Sequence, residues 1–125
     1  MPRDGISCQE IAPPVGPFSP AVRSGEFVFF SGQVAQDPTT SKLVAGGATA
    51  QTEQIFKNLG ATLRAAGKTF ADVVRVGVYL TDMADFSAMN AVYGRHFDAP
   101  FPARTTIAVA ALPLGASVEI DLVAR

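Results

Sequence analysis

The chain has 125 residues, of which 48% are hydrophobic and 17% charged, and its net charge is −1. This composition excludes an intrinsically disordered chain and allows a packed core within one domain spanning residues 1–125. The lysines and arginines are scattered along the chain. A nucleic-acid-binding protein usually carries a basic stripe, so we do not expect nucleic acid as the main partner.

The sequence also bears on the cellular compartment. A single cysteine, Cys8, cannot form an internal disulfide, which favours a reducing environment. The first residues lack the apolar run of a signal peptide, and no stretch reaches the length of a membrane-spanning helix. We therefore expect a cytoplasmic protein that does not associate with membranes.

The first half of the chain predicts a rigid loop, a hairpin and a helix. Residues 13–20 are rich in proline and form either a structural strap or a binding loop. A hairpin is expected over residues 22–34, with its turn at Gly25-Glu26. Residues 49–66 then show helical spacing of large apolar side chains, and Gly67 ends the helix.

The second half predicts a strand, a helix and two further strands. Residues 73–80 are rich in valine and read as a strand, and Asp82 is suited to cap a second helix. That helix has one apolar stripe, formed by Phe86, Met89, Tyr93 and Phe97. Strands over 104–112 and 117–123 flank the turn at residues 113–115. The order β-β-α-β-α-β-β predicts an α+β fold, with two helices on one face of a mixed sheet.

Two of the predicted strands are apolar or small on both faces, over Phe27–Phe30 and Thr105–Ala111. One layer of helices covers only one face of a sheet. The other face must meet something, most simply another copy of the chain.

The residue types exclude several kinds of active site. With one histidine, His96, and one cysteine, a zinc site of histidine and cysteine ligands is implausible, and no metal is expected. No serine–histidine–aspartate spacing stands out. A lone histidine next to a buried stripe is more often a surface or half-buried residue than a catalyst.

Arg104 is the strongest single candidate for a functional side chain. Its planar guanidinium enters an otherwise apolar strand and is suited to a bidentate contact with a carboxylate. On spacing alone, a structural ion pair at the strand end is the better interpretation. Asn90 shares the inward face of the second helix, where its amide either bonds to nearby backbone or meets a ligand or an adjacent loop.

Glu119 lies between Val118 and Ile120 and faces the opposite side of its strand. The ordinary interpretation is a charge that faces solvent. If the turn at 113–115 joins a hairpin, Glu119 pairs near Ala110 and lies roughly 20 Å along the strand from Arg104. The two residues then share a site only across a subunit interface.

Taken in order, several short segments resemble one known family. They are Gly16-Pro17-Phe18-Ser19, Ser31-Gly32-Gln33, Gln51 to Leu59, Asn90-Ala91-Val92-Tyr93, Pro102-Ala103-Arg104-Thr105, Leu112-Pro113 and Val118-Glu119-Ile120. From about Gly16 to its end, the chain resembles the RidA/YjgF family, which is also labelled the L-PSP endoribonuclease family.

The resemblance implies a chorismate-mutase-like α+β fold and a homotrimer whose sheets form a central β-barrel, with clefts between subunits. Many members hydrolyse reactive 2-imino acids, such as 2-iminobutanoate and 2-iminopropanoate, to 2-keto acids and ammonia. That chemistry requires no metal or organic cofactor.

Site residues follow from the same resemblance. Arg104 matches the arginine that binds the substrate carboxylate, and Glu119 matches the acidic residue that helps to position the attacking water. Ser31, Gly32 and Asn90 match residues that line the cleft. Two positions depart from the family: Phe18 stands where many members have tyrosine, and Thr106 where the best-known members have cysteine.

The sequence therefore predicts a deaminase of small 2-imino or enamino acids. A specialised deaminase for an aminomuconate-like substrate is a close variant. A non-enzymatic trimer that binds a 2-keto acid is the alternative from another class, although a pure carboxylate binder gains nothing from Glu119. The ribonuclease named in one family label is disfavoured by the absence of a basic stripe and of a histidine pair.

Overall fold

The computed structural model describes residues 2–125. Its six strands and two helices are β1 (Asp4–Ile6), β2 (Ala21–Ser24), β3 (Phe27–Gln33), α1 (Ala48–Ala65), β4 (Val73–Leu80), α2 (Phe86–Tyr93), β5 (Ala103–Ala108) and β6 (Val118–Ala124). Short 3₁₀ turns lie at Phe70–Asp72, Met83–Asp85 and Pro113–Gly115. The predicted α+β order is confirmed, with β1 as one additional short strand.

The strands form a single mixed sheet in the order β1-β2-β3-β6-β4-β5. Strands β4 and β5 pair in parallel, and every other neighbouring pair is antiparallel. The predicted hairpin is the β2–β3 pair, and Gly25 in its turn has a φ of 59°. A positive φ of this kind is readily adopted by glycine, which explains the residue at that turn.

Both helices cover the same face of the sheet. Along β6, the buried residues Val118, Ile120, Leu122 and Ala124 alternate with half-buried ones. The predicted stripe of α1, formed by Ile55, Leu59 and Leu63, is buried in the same core. Burying one such side chain stabilises the fold by about 1.5–3 kcal/mol. The core between sheet and helices therefore accounts for the helical spacing seen in the sequence.

The predicted hairpin of the last two strands is wrong. Strand β5 ends at Ala108 and pairs with β4, while β6 lies between β3 and β4. Glu119 consequently lies opposite Tyr79 rather than Ala110. The segment from residue 109 to 117 is a crossing connection, because a strand–helix–strand unit places its two strands side by side in parallel.

The face of the sheet away from the helices is open in the single chain. Phe27, Phe29 and Ile107 on this face are each at least 40% exposed. The half-buried polar side chains of Glu119 and Asp121 lie on the same face. No helix within residues 2–125 combines the length and the hydropathy that a membrane span requires.

Candidate functional site

Arg104 is the second residue of β5, at the edge of the sheet, and its side chain faces α2. One guanidinium nitrogen, Nη1, donates a hydrogen bond of 2.8 Å to Oδ1 of Asn90. The guanidinium carbon lies 4.6 Å from the centre of the Tyr93 ring and 5.6 Å from that of Phe86. Cation–π contacts of this kind orient the guanidinium and leave donors free.

In the described part of the chain, no carboxylate pairs with Arg104. The ion pairs found there involve Arg64, Arg95 and Arg125 instead. The interpretation of Arg104 as a structural ion pair therefore does not hold. The Asn90 amide also has a partner that neither interpretation named, since it accepts from this side chain. A half-buried guanidinium held only by neutral groups is suited to an anionic ligand.

Two buried hydroxyl groups lie on the same side of the sheet as the Arg104 guanidinium. The hydroxyl oxygens of Tyr93 and Thr106 are buried, and neither forms a hydrogen bond with residues 2–125. Burial raises the pKa of Tyr93, while the nearby Arg104 charge acts in the opposite direction. Buried polar groups without partners are rare in proteins and often mark functional positions. We call Asn90, Tyr93, Arg104 and Thr106 the arginine site.

Glu119 lines a separate cavity on the open side of the sheet, with a volume of about 170 Å³. Gly32 on β3 and Phe18 from the proline-rich segment line the same cavity, as does Leu114 from the turn before β6. A methyl group at Gly32 would lie only 2.5 Å from Oε2 of Glu119. Only glycine lets the carboxylate lie against β3 in this way. We call Phe18, Gly32, Leu114 and Glu119 the glutamate cavity.

The surroundings of Glu119 favour its protonated form. Burial raises the pKa of Glu119, and the negative charge of Asp121 on the same strand raises it further. Asp121 is itself fixed, because it accepts 3.1 and 2.9 Å hydrogen bonds from the Gly77 N–H and the Tyr79 hydroxyl. A carboxyl group with a raised pKa is suited to proton transfer near neutral pH.

Ser31 connects the proline-rich segment to the sheet. Its hydroxyl donates to the Ser19 carbonyl at 2.7 Å, and its N–H donates to the Pro20 carbonyl at 3.0 Å. These bonds fix the segment that carries Phe18 beside the glutamate cavity. In the single chain the Ser31 hydroxyl therefore bonds to backbone, next to Gly32.

The arginine site and the glutamate cavity lie on opposite faces of one sheet. Strand β4 separates β5 from β6, which is about 10 Å between strand axes. Arg104 aligns with Val76, and Glu119 aligns with Tyr79 three residues further along β4. The two predicted catalytic residues are therefore not adjacent within one chain. The sequence also predicted this separation, but from a hairpin of the last two strands that the structure does not contain.

Sequence reasoning did not assign functions to Tyr93, Leu114 or Asp121. Tyr93 follows Asn90 by three residues on the same helical face, and this spacing indicates that both side chains can contact one residue, which is Arg104 in the structure. Asp121 shares its strand face with Glu119, again from alternation. The cavity position of Leu114 depends on backbone conformation and had no sequence signal. Within residues 2–125, no group of three or more potential metal ligands is present.

The chain, with its α+β fold, an arginine on the edge strand and a half-buried glutamate on the opposite face of the sheet, has relatives among known proteins. Residues 9–125 match the family model described as Endoribonuclease L-PSP. A human protein named 2-iminobutanoate/2-iminopropanoate deaminase is 41% identical over 119 residues, which cover 95% of this chain and 87% of that one.

Solved structures agree with the sequence match. RidA from the Antarctic bacterium Psychrobacter sp. PAMC 21119 superposes with a TM-score of 0.93 at 41% identity, covering 98% of each chain. TdcF from E. coli, solved with bound serine, superposes with a TM-score of 0.91 at 33% identity, covering 97% of each chain. The chain belongs to the RidA/YjgF, or L-PSP, family, as the sequence resemblance predicted.

Proposed function

We propose that this protein hydrolyses small reactive 2-imino acids, and their enamine tautomers, to 2-keto acids and ammonia. Two observations carry the proposal: Arg104 has no carboxylate partner within residues 2–125, and Glu119 on the opposite face of the sheet has a raised pKa. The identity to the human deaminase supports the same chemistry. Serine in the TdcF structure supports a small ligand that carries a carboxylate.

Arg104 binds the substrate carboxylate in this proposal. A 2-imino acid has one carboxylate directly beside its C=N bond, so a bidentate contact fixes the carbon that reacts. Asn90 and Tyr93 hold the guanidinium on the side away from the substrate. The orientation of the guanidinium is therefore set before the substrate binds.

Glu119 acts as the general base toward the attacking water and transfers protons during the reaction. The water oxygen adds to the carbon of the C=N bond as Glu119 accepts a proton from it, and the nitrogen gains a proton in the same stage. The carbon–nitrogen bond then breaks, ammonia leaves and the new hydroxyl loses its proton to form the keto group. Glu119 passes protons between these positions, and no net oxidation or reduction occurs.

The two residues meet only if two copies of the chain form one site. Arg104 lies on the edge strand, where a neighbouring chain can reach it. Phe27, Phe29 and Ile107 are exposed on the open sheet face, and contact with another chain would bury them. We propose a homotrimer in which each cleft takes Arg104 from one chain and Glu119 from the next. A non-enzymatic binder of 2-keto acids needs Arg104 but has no use for a protonatable Glu119.

The test combines activity with mixing of variants. Threonine dehydratase generates 2-iminobutanoate, semicarbazide traps it, and the wild-type protein is expected to suppress semicarbazone formation. Arg104→Ala and Glu119→Gln are each expected to be inactive. When the two variants are co-expressed, random assembly places an intact arginine and an intact glutamate together in roughly one quarter of the clefts.

Recovery of about a quarter of the wild-type activity supports both the reaction and the shared cleft. An inactive mixture with active wild type contradicts the shared cleft. An inactive wild type contradicts the deaminase proposal for this substrate and favours the binding alternative.

Gly32→Ala is expected to lower kcat/KM for imine hydrolysis by about 10- to 100-fold. The added methyl group displaces the Glu119 carboxylate, and a misplacement of about 1 Å costs up to two orders of magnitude. Gly47→Ala is the matched control, since its φ is −86° and a methyl group there meets no atom within 4 Å. Equal activity of the two variants would show that the Glu119 position is not critical.

A further inference from the structure

Glu119 lies where two strands of the sheet separate. The pairing of β3 with β6 ends at Gln33 and Ile120, so Glu119 is paired with β4 alone. The glutamate cavity opens at this separation, between residues 34–36 after β3 and residues 113–114 before β6. In the part of the chain that the structure describes, sheet pairing does not join these two segments. Other contacts must therefore hold the backbone on each side of Glu119.

Two buried amide side chains of α1 make such contacts. Gln51 is 5% exposed and Asn58 is 2% exposed. They are seven residues apart, which is close to two helical turns, so both lie on the buried face of α1. Oε1 of Gln51 accepts a 2.9 Å hydrogen bond from the Ser117 N–H. Nδ2 of Asn58 donates a 2.9 Å hydrogen bond to the Gln36 carbonyl.

The orientation of both amides is determined by their partners. A backbone N–H only donates, so Gln51 must present its oxygen, whereas a carbonyl only accepts, so Asn58 must present its nitrogen. The Asn58 oxygen is occupied by Gln54, whose Nε2 donates to it at 2.9 Å. Ser117 is also held from β4, because its carbonyl accepts from the Thr81 N–H at 3.1 Å. Each contact is therefore made in one defined geometry.

The demands of folding account poorly for these two amides. A buried position on a helix is usually occupied by an apolar side chain, and a buried hydrogen bond does little more than offset the lost hydration of its groups. Both amides bond to backbone close to one residue, since Ser117 precedes Glu119 by two positions and Gln36 lines the glutamate cavity. A catalytic group must be held to within about 1 Å to be effective.

We infer that Gln51 and Asn58 are positioning residues for Glu119. They act through the backbone at Ser117 and Gln36 and keep the carboxyl group in place beside the gap between β3 and β6. The inference rests on the proposed function and adds two residues of α1 to those that serve it. Neither amide is among the described residues that line the glutamate cavity, so the effect of each is indirect.

Variants of the two amides separate hydrogen bonding from packing. Gln51→Met keeps the size of the side chain and removes the acceptor, and it is expected to lower kcat/KM for imine hydrolysis by about 10- to 100-fold. Gln51→Glu keeps an oxygen that accepts from the Ser117 N–H, so we expect activity close to wild type. Asn58→Asp has the opposite outcome, because it loses the donor to the Gln36 carbonyl, and its activity is expected to fall as in Gln51→Met.

Thr62→Val is the matched control for the loss of a buried hydrogen bond in α1. The Thr62 hydroxyl is buried but donates at 2.9 Å to the Leu59 carbonyl within the same helix. Its removal changes neither segment beside Glu119. We expect a lower Tm and an unchanged kcat/KM at a temperature where the protein is folded.

Carbon-13 NMR of the glutamate carboxyl groups gives a readout that does not depend on activity. In folded Gln51→Met, the carboxyl group of Glu119 is held less firmly in its half-buried position, so it is expected to titrate at a lower pH than in wild type. Thr62→Val is expected to titrate as wild type.

Wild-type activity and titration in folded Gln51→Met would overturn the inference and leave the proposed function intact. Equal losses in Gln51→Met and Gln51→Glu would also overturn it, because the hydrogen bond would then not be the cause. An inactive wild-type protein contradicts the proposed function, whereas the titration still decides whether the amides hold the carboxyl group in place.

Discussion

Replacing Arg104 by alanine is expected to lower kcat/KM for imine hydrolysis by about 10²- to 10⁴-fold. Each hydrogen bond between a guanidinium and a carboxylate contributes about 1.5–3 kcal/mol, and a bidentate contact makes two of them. The loss should appear as weaker binding and as slower turnover, because the same contact orients the reacting carbon. Suppression of semicarbazone formation from 2-iminobutanoate, measured against protein concentration, reports kcat/KM.

Arg104→Lys distinguishes the geometry of the group from its charge. Lysine keeps the positive charge but lacks the planar fork and stacks less well on the Tyr93 ring. We expect it to retain less than about a tenth of the activity. Arg95→Ala, which removes an exposed arginine paired with Glu53 at 3.8 Å, is the matched control and is expected to stay near wild type. Wild-type activity in Arg104→Lys would contradict a bidentate contact.

The sequence was sufficient to predict most of the individual elements of this fold. Helix α1 and strand β6 have clear periods of apolar residues because each buries a single face, as Leu59 and Ile120 show. The pairing of the last strands was missed. The β4–α2–β5 unit carries the signal for parallel pairing, but the Pro113-Leu114-Gly115 turn resembles a hairpin loop locally. Sheet order depends on contacts distant in sequence, which local patterns do not record.

The candidate site shows a similar limit. Arg104 and Glu119 were identified from their residue types, their strand positions and a family resemblance. Whether Arg104 has an acidic partner depends on which carboxylates the fold places near it, and spacing alone favoured the wrong answer. The support of the guanidinium by Asn90 and Tyr93 likewise needs three-dimensional contacts. Chemistry of single residues was therefore predictable, whereas their partners were not.

Replacing Glu119 by glutamine is expected to lower imine hydrolysis by about 10²- to 10⁴-fold without destabilising the protein at pH 7. Glutamine is similar in size but transfers no proton. Folding raises the pKa of Glu119 above its ordinary value of 4.5, through burial and then through Asp121. The folded state therefore holds this proton more tightly than the unfolded chain, so the stability that it contributes is present below pH 4.5 and is lost as the pH rises through the folded pKa.

Above the folded pKa, the ionised Glu119 consequently opposes folding, and Glu119→Gln removes that cost. Thermal unfolding followed by circular dichroism is expected to give a Tm at pH 7 equal to or above that of wild type, with the difference shrinking toward pH 4.

The chain contains four glutamates, so carbon-13 labelling of their carboxyl groups gives few enough NMR signals to titrate each one. The signal absent from Glu119→Gln is expected to titrate at the highest pH, and Asp121→Asn should lower that pKa. An inactive Glu119→Gln protein with a markedly lower Tm would instead mark Glu119 as a structural residue. If the carboxylate is kept for catalysis at a cost to stability, its replacement by glutamine must leave the Tm unchanged or raise it.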